Sequence, residues 1–216
     1  IYKELNITGK PSASDISKYL TCEDRTVRMK GKLTATFKVT SHFRTKISLF
    51  GRITDINHPE EYDIDKVLDI IKTNSYYHVA EKVDAVRKAK DDKAKNEAKM
   101  KLPAVTWNGT FKTKNRSDLI HYSSFTALDF DHIQPEKMDE FGKWLQGFPC
   151  IYAYYVTPSG KGYKAIILHD NYEPLYHYDL YNQLLELFDC PEKDTSTTDL
   201  ARGNFLSYDP NLWKNP

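Results

Sequence analysis

The strongest constraint on this chain is the rhythm of its second half, a regular alternation of short apolar runs and longer amphipathic ones. Residues 124–131, 150–157 and 162–168 are short apolar runs rich in aromatic and β-branched side chains, the composition of strands. Between and after them lie two longer segments, 135–148 and 174–188, each opened by a proline, which suits the start of a helix. Met138, Phe141, Trp144 and Leu145 recur at helical spacing in the first, and Leu180, Leu184, Leu185 and Leu187 in the second. Phe205-Leu206-Ser207-Tyr208 reads as a last strand. The resulting order is β-α-β-β-α-β.

That order is the split βαβ pattern of ferredoxin-like and RRM-like (RNA-recognition-motif-like) folds, and it predicts an α+β core. In such a fold the first strand lies beside the third. Asp129 and Asp131, at the end of the first strand, would then neighbour the strand carrying Lys164. An additional N-terminal α/β part precedes the core. A unit starts at Lys46-Ile47-Ser48-Leu49-Phe50, and residues 63–73 form an amphipathic helix with Ile64, Val67, Leu68, Ile70 and Ile71 as its apolar stripe. Residues 81–101 read as one charged, solvated helix, and 105–111 as strand and turn. Residues 1–45 stand apart as a helical appendage. Ser12 to Asp15 reads as an N-cap before Ile16 and Leu20, and a break at Cys22-Glu23-Asp24 leads to a second helix from Arg25, a helix-turn-helix or a plain packing hairpin. Leu33 to Val39 reads as extended. The division is thus 1–45 and 46–216.

Composition adds few exclusions. Hydrophobic residues make up 40% of the 216, enough for a core, and the net charge of +1 means that any basic site is local. The three cysteines, Cys22, Cys150 and Cys190, form no C-x-x-C and suggest neither a disulfide framework nor a zinc site, so a reduced cytoplasm fits. No apolar run reaches membrane-spanning length and no signal peptide is visible. The chain opens at Ile1 without a methionine, which fits a piece of a longer protein.

Chemistry concentrates at four places. Asp129 and Asp131 fall on one face of an apolar strand, since side chains alternate. Two such carboxylates repel unless a cation sits between them, and a hard divalent metal is the usual one; the bland alternative is capping of a turn. Ser159-Gly160-Lys161-Gly162 offers two glycines, a lysine and N–H groups that could cradle phosphate, and equally satisfies an ordinary hairpin turn. It is not a Walker A loop, because it joins strand to strand and lacks that spacing. Lys164 lies mid-strand among apolar residues, suited to a phosphate or to a solvated sheet face. After the last helix, Asp194 and Asp199 are candidate third metal ligands, and Arg202 could grip a phosphate bidentately.

In this order, these residues resemble the archaeo-eukaryotic primase superfamily, the primase–polymerases. Asp129 and Asp131 match its Asp-x-Asp, and Ser159, Gly160 and Gly162 match its Ser-Gly-x-Gly-x-His. Asp194, with Thr197, Asp199 and Arg202 after it, matches the later Asp, Asp199 being the alternative. Lys101-Leu102-Pro103, Gly109-Thr110-Phe111 and the tail Arg202-x-x-Phe205-Leu206-Ser207-Tyr208-Asp209-Pro210 carry a closer likeness to the VirE N-terminal-like branch over roughly 46–210. The family's histidine is Lys164 here, which keeps the charge and loses the imidazole. The resemblance implies a DNA primase or polymerase that transfers a nucleotide from an NTP or dNTP to a 3′-hydroxyl on a single-stranded DNA template and primer. It implies Mg2+ or Mn2+ on Asp129, Asp131 and Asp194, and the triphosphate on Ser159, Gly160, Lys161, Gly162, Lys164 and Arg202. It also implies a helicase domain or protein as partner, in cis or in trans, and a setting on mobile elements. The rivals are an RRM-like nucleic-acid-binding replication-initiation module without chemistry, a relaxase, which would need a His-x-His that is absent, and a nucleotide cyclase.

Overall fold

A computed structural model describes residues 44–76 and 78–216, together with the backbone of two short strands, β1 (Leu20–Glu23) and β2 (Thr26–Met29). These two pair antiparallel with Glu23 opposite Thr26. The break and second helix of the expected helix-turn-helix therefore give way to a hairpin, consistent with the β-branched Thr21, Thr26 and Val27. The expected first helix and the extended segment at 33–39 lie outside the described residues.

The N-terminal part of the main body runs β3 (Lys46–Phe50), β4 (Glu60–Asp63), α1 (Ile64–Thr73), α2 (Val79–Arg87), α3 (Asp92–Lys99) and β5 (Ala104–Thr106). The apolar stripe read from α1 is buried as expected, all five residues. The helix stops at Asn74, whose φ of 59° is a left-handed turn that asparagine tolerates. The charged stretch that reads as one helix is two. Asp91 is extended, and its carboxylate accepts the Ala94 N–H at 2.8 Å, starting α3 afresh. A short polar side chain that competes for backbone N–H groups ends one helix by capping the next.

Next come β6 (Gly109–Phe111) and β7 (Leu119–Tyr122), which pair with each other, so the stretch expected as one strand and turn contributes to two sheets. The second half then follows its expected order: β8 (Phe125–Phe130), α4 (Met138–Gln146), β9 (Ile151–Val156), β10 (Tyr163–Leu168) and α5 (His177–Leu187). Both helices begin with a 3-10 turn on their proline, Pro135–Lys137 and Pro174–Tyr176. The chain ends with β11 (Asn204–Phe205) and β12 (Trp213–Lys214).

The main sheet has the order β12-β9-β10-β8, all antiparallel, so the first and third strands of the motif are neighbours as expected. The last strand departs from the pattern. β11 is two residues long and pairs with β5 in a second sheet, of order β11-β5-β3-β4. The outer edge of β8 is closed instead by the 192–194 segment. Asp131 N–H donates to the Glu192 carbonyl at 2.8 Å and Asp194 N–H to the Asp129 carbonyl at 2.9 Å. With those donors paired, β8 has no free edge there for another strand.

Alternation along β10 sorts the sheet's two faces. Tyr163, Ala165 and Ile167 join Leu128, Phe130, Leu145, Tyr181 and Leu184 in a core under α4 and α5. Ile166 and Leu168 join Ala127, Ala153 and Tyr155 in a second core with Ile47 and Leu49 of β3, the stripe of α1, and Val79, Val83 and Val86 of α2. Lys164 shares that second face, which looks toward the second sheet.

Candidate functional site

The site is built where β8 ends. Tyr155, Lys164 and Asp129 are direct cross-strand partners on β9, β10 and β8, so one row of side chains crosses the sheet. Lys164 is 5% exposed. Its ammonium forms an ion pair with the Asp129 carboxylate and donates to Asn204 Oδ1 at 2.7 Å. The Asn204 amide is fixed in turn, its Nδ2 donating to the Arg202 carbonyl at 3.0 Å. Neither reading of Lys164 as solvated nor as open to a ligand describes this arrangement: the charge is buried and paired. Asn204 gave no signal in the sequence; its role comes from β11 entering the second sheet.

Asp131 lies two residues beyond Asp129 on the same face, just past the strand end. Burial raises its carboxyl above the ordinary carboxylate range, and the nearby charges of Asp129 and Asp194 push the same way, while Lys164 and His132 oppose. Asp194 is thus the acidic residue that joins the pair, held there by its N–H on Asp129. Its own carboxylate accepts the Ser196 N–H at 2.8 Å. Asp199 sits elsewhere, accepting the Ala201 N–H and near enough to favour the charged form of His177. An open depression lies beside the strand end, with Asp131 and His132 on one side and Glu192, Lys193 and Asp194 on the other.

The donor chemistry suits a hard divalent cation. Three carboxylates, Asp129, Asp131 and Asp194, lie near one buried ammonium that is paired with Asp129, and Asp131 is raised first by burial and then by the charge of Asp129. Among the described residues no three His, Cys, Asp or Glu side chains stand as a group that could hold a metal ion, and the Asp129 carboxylate is paired with Lys164.

The 159–162 turn lies against the same strand end. A Cβ on Gly162 would stand 2.2 Å from the Phe130 carbonyl oxygen and 3.0 Å from Asp131 Oδ1, so only glycine lets the turn come this close. Gly160 has φ of 73°. Part of the expected cradle of N–H groups is used inside the turn: Gly160 N–H donates to the Thr157 carbonyl at 2.9 Å, and Lys161 N–H to Ser159 Oγ at 3.3 Å. The physical reason is the tightness of the turn, which folds these two donors inward. Lys161 and Arg202 are exposed.

No helix among the described residues is long and apolar enough to cross a membrane. No curated protein and no solved structure matches the chain. The family model described as "BT4734-like, N-terminal domain" matches residues 97–213, just over half the chain and all of the site assembled above. The chain therefore belongs to the BT4734-like N-terminal domain family.

Proposed function

We propose that this domain is a metal-dependent nucleotidyltransferase of the primase–polymerase type, extending or starting a nucleic-acid chain on a single-stranded template. The observation that carries the reading is the meeting of three sequence-distant signals at one strand end: Asp129 on β8 with Asp131 just past its end, Lys164 on β10 opposite Asp129, and Asp194 tied by its backbone to Asp129. Asp131 and Asp194, with Asp129, would hold Mg2+ or Mn2+. When bound, such an ion supplies Lewis-acid stabilisation of the phosphoryl oxygens. The chain's own residues then do the positioning. Lys164 holds the Asp129 carboxylate in place, Gly162 lets the turn reach Asp131, and Ser159, Lys161 and Arg202 are the nearby polar and cationic groups for the triphosphate. Catalysis on this reading is orientation and charge neutralisation.

A second reading has one observation in its favour. The buried Lys164–Asp129 pair could serve the fold alone, in a module that binds nucleic acid without chemistry. Primer synthesis and extension on single-stranded DNA, with Mg2+ or Mn2+, separates the two. The unaltered chain is expected to give product and Asp131→Asn none. Equal template binding with no product from either would favour the binding module.

A further inference from the structure

With the Gly160 and Lys161 N–H groups bonded inside the 159–162 turn, the charge that could attract an anion there has to come from side chains. Lys161 is one. A second cation comes from an element outside every motif that the sequence displays: Arg87, in the last turn of α2. Its stem crosses the face of Gly160, where an added Cβ would stand 3.6 Å from Arg87 Nε and 3.9 Å from its Cδ. The guanidinium donates from Nη2 to the Tyr208 carbonyl at 3.3 Å, a neutral acceptor. Asp84, one turn back on the helix, is ion-paired with Lys88 at 2.7 Å, with Arg87 a weaker electrostatic neighbour. Arg87 is thus an exposed guanidinium laid on the turn with donors to spare.

The other end of the same turn touches Asp131 through Gly162. Two residues of chain span at most about 7 Å. Within four residues the turn therefore has a guanidinium on one side and the Asp131 carboxylate on the other. A metal-bound triphosphate needs that pair: carboxylates for the cation and a planar fork of N–H donors for the phosphate oxygens. We propose that Arg87 is an anion-binding residue of this site and, with Lys161, grips the triphosphate of the incoming nucleotide; the inference rests on the nucleotidyl-transfer reading above. It makes the N-terminal α/β part a contributor to the site.

The test is binding to the 216-residue chain, measured with a fluorescent non-hydrolysable nucleoside triphosphate and Mg2+, with inorganic triphosphate as competitor and labelled single-stranded DNA in parallel. Arg87→Gln keeps a donor for the Tyr208 carbonyl and removes the charge; Lys88→Ala is the neighbouring control. Arg87→Gln is expected to weaken both nucleotide and inorganic triphosphate about tenfold or more, with single-stranded DNA binding and melting temperature unchanged, while Arg87→Lys recovers part of the loss. Unchanged nucleotide affinity in Arg87→Gln would overturn the proposal alone. A loss confined to single-stranded DNA would assign Arg87 to the strand instead. An unaltered chain that binds no nucleotide would overturn the proposal together with the nucleotidyl-transfer reading.

Discussion

Lys164 is the residue on which most of the site depends, because it is a charge with almost no water around it. Removing one member of such a pair leaves the other buried and uncompensated, a cost of about 3 kcal/mol or more. Lys164→Met is therefore expected to lower unfolding stability by about that amount, and Asp129→Asn added to it to restore much of the loss; urea titrations of the single and double variants check this as a double-mutant cycle. Recovery of stability without the proposed polymerase activity in the double variant would separate the pair's structural role from the proposed metal-holding role of Asp129. The two glycines of the turn differ in the same physical way. Gly160→Ala meets only ordinary contact with the Arg87 side chain, 3.6 Å from Nε, but a left-handed backbone, a cost of about 1–2 kcal/mol. Gly162→Ala meets the Phe130 carbonyl at 2.2 Å and must move β10 away from β8. Thermal melts are expected to rank Gly162→Ala as the more damaging, and the displaced turn beside Asp131 to reduce the proposed metal-dependent activity beyond the loss of stability.

At the scale of elements, β7, the end of β10 and the start of α5 are stapled by a buried aromatic and imidazole cluster. Tyr122 packs on His169 with ring centroids 5.6 Å apart, and its hydroxyl is 2.9 Å from His177 Nδ1. Burial lowers the His169 imidazole to about 3 and His177 to about 4. The His177 neighbourhood also holds Asp199, which favours its charge, and Arg116, which opposes it, without reversing the effect of burial. In the unfolded chain both titrate near 6.5, so below that pH the unfolded state binds protons that the folded state refuses. Stability is expected to be full above about pH 6.5 and to fall toward about pH 4, with each histidine adding a slope of up to about 1.4 kcal/mol per pH unit. Urea unfolding across that range, repeated with His177→Gln, checks the sign: the variant's profile is expected to be flatter. The junction between α2 and α3 offers a smaller effect. Asp91→Ala removes the cap on Ala94 N–H and is expected to cost about 1 kcal/mol, seen in thermal melts and helical circular dichroism.

Across the whole molecule, one core joins the main sheet to the second sheet and to α1 and α2, so the two parts are expected to unfold together. Ile166, fully buried on the inter-sheet face of β10, tests this. Ile166→Ala is expected to cost about 2–5 kcal/mol while tryptophan fluorescence and circular dichroism still report a single coincident transition; two separated transitions would mean that the sheets are independent. The sequence was most informative where local pattern and burial agree. The five-residue stripe of α1, the strands at 125–130, 151–156 and 163–168 and the helices between them follow from periodicity, because each buries one face against the same sheet. The approach of Asp129 to Lys164 was legible through strand order alone, since adjacency in the split βαβ pattern is a topological consequence. The single helix drawn through 81–101 failed because a cap at Asp91 outweighs composition, and the 159–162 turn uses two of its own N–H donors, Gly160 and Lys161, which spacing did not show. Residue spacing by itself determined which side chains share a face and which segments carry chemistry. Only the tertiary structure decided that Lys164 is buried rather than open, that Asn204 holds it, that Asp194 and not Asp199 joins the pair, and that Arg87 lies on the turn. Those outcomes depend on which edge of β8 is already filled and on where β11 finds its partner, competitions between distant segments for the same hydrogen-bonding edge that no local pattern encodes.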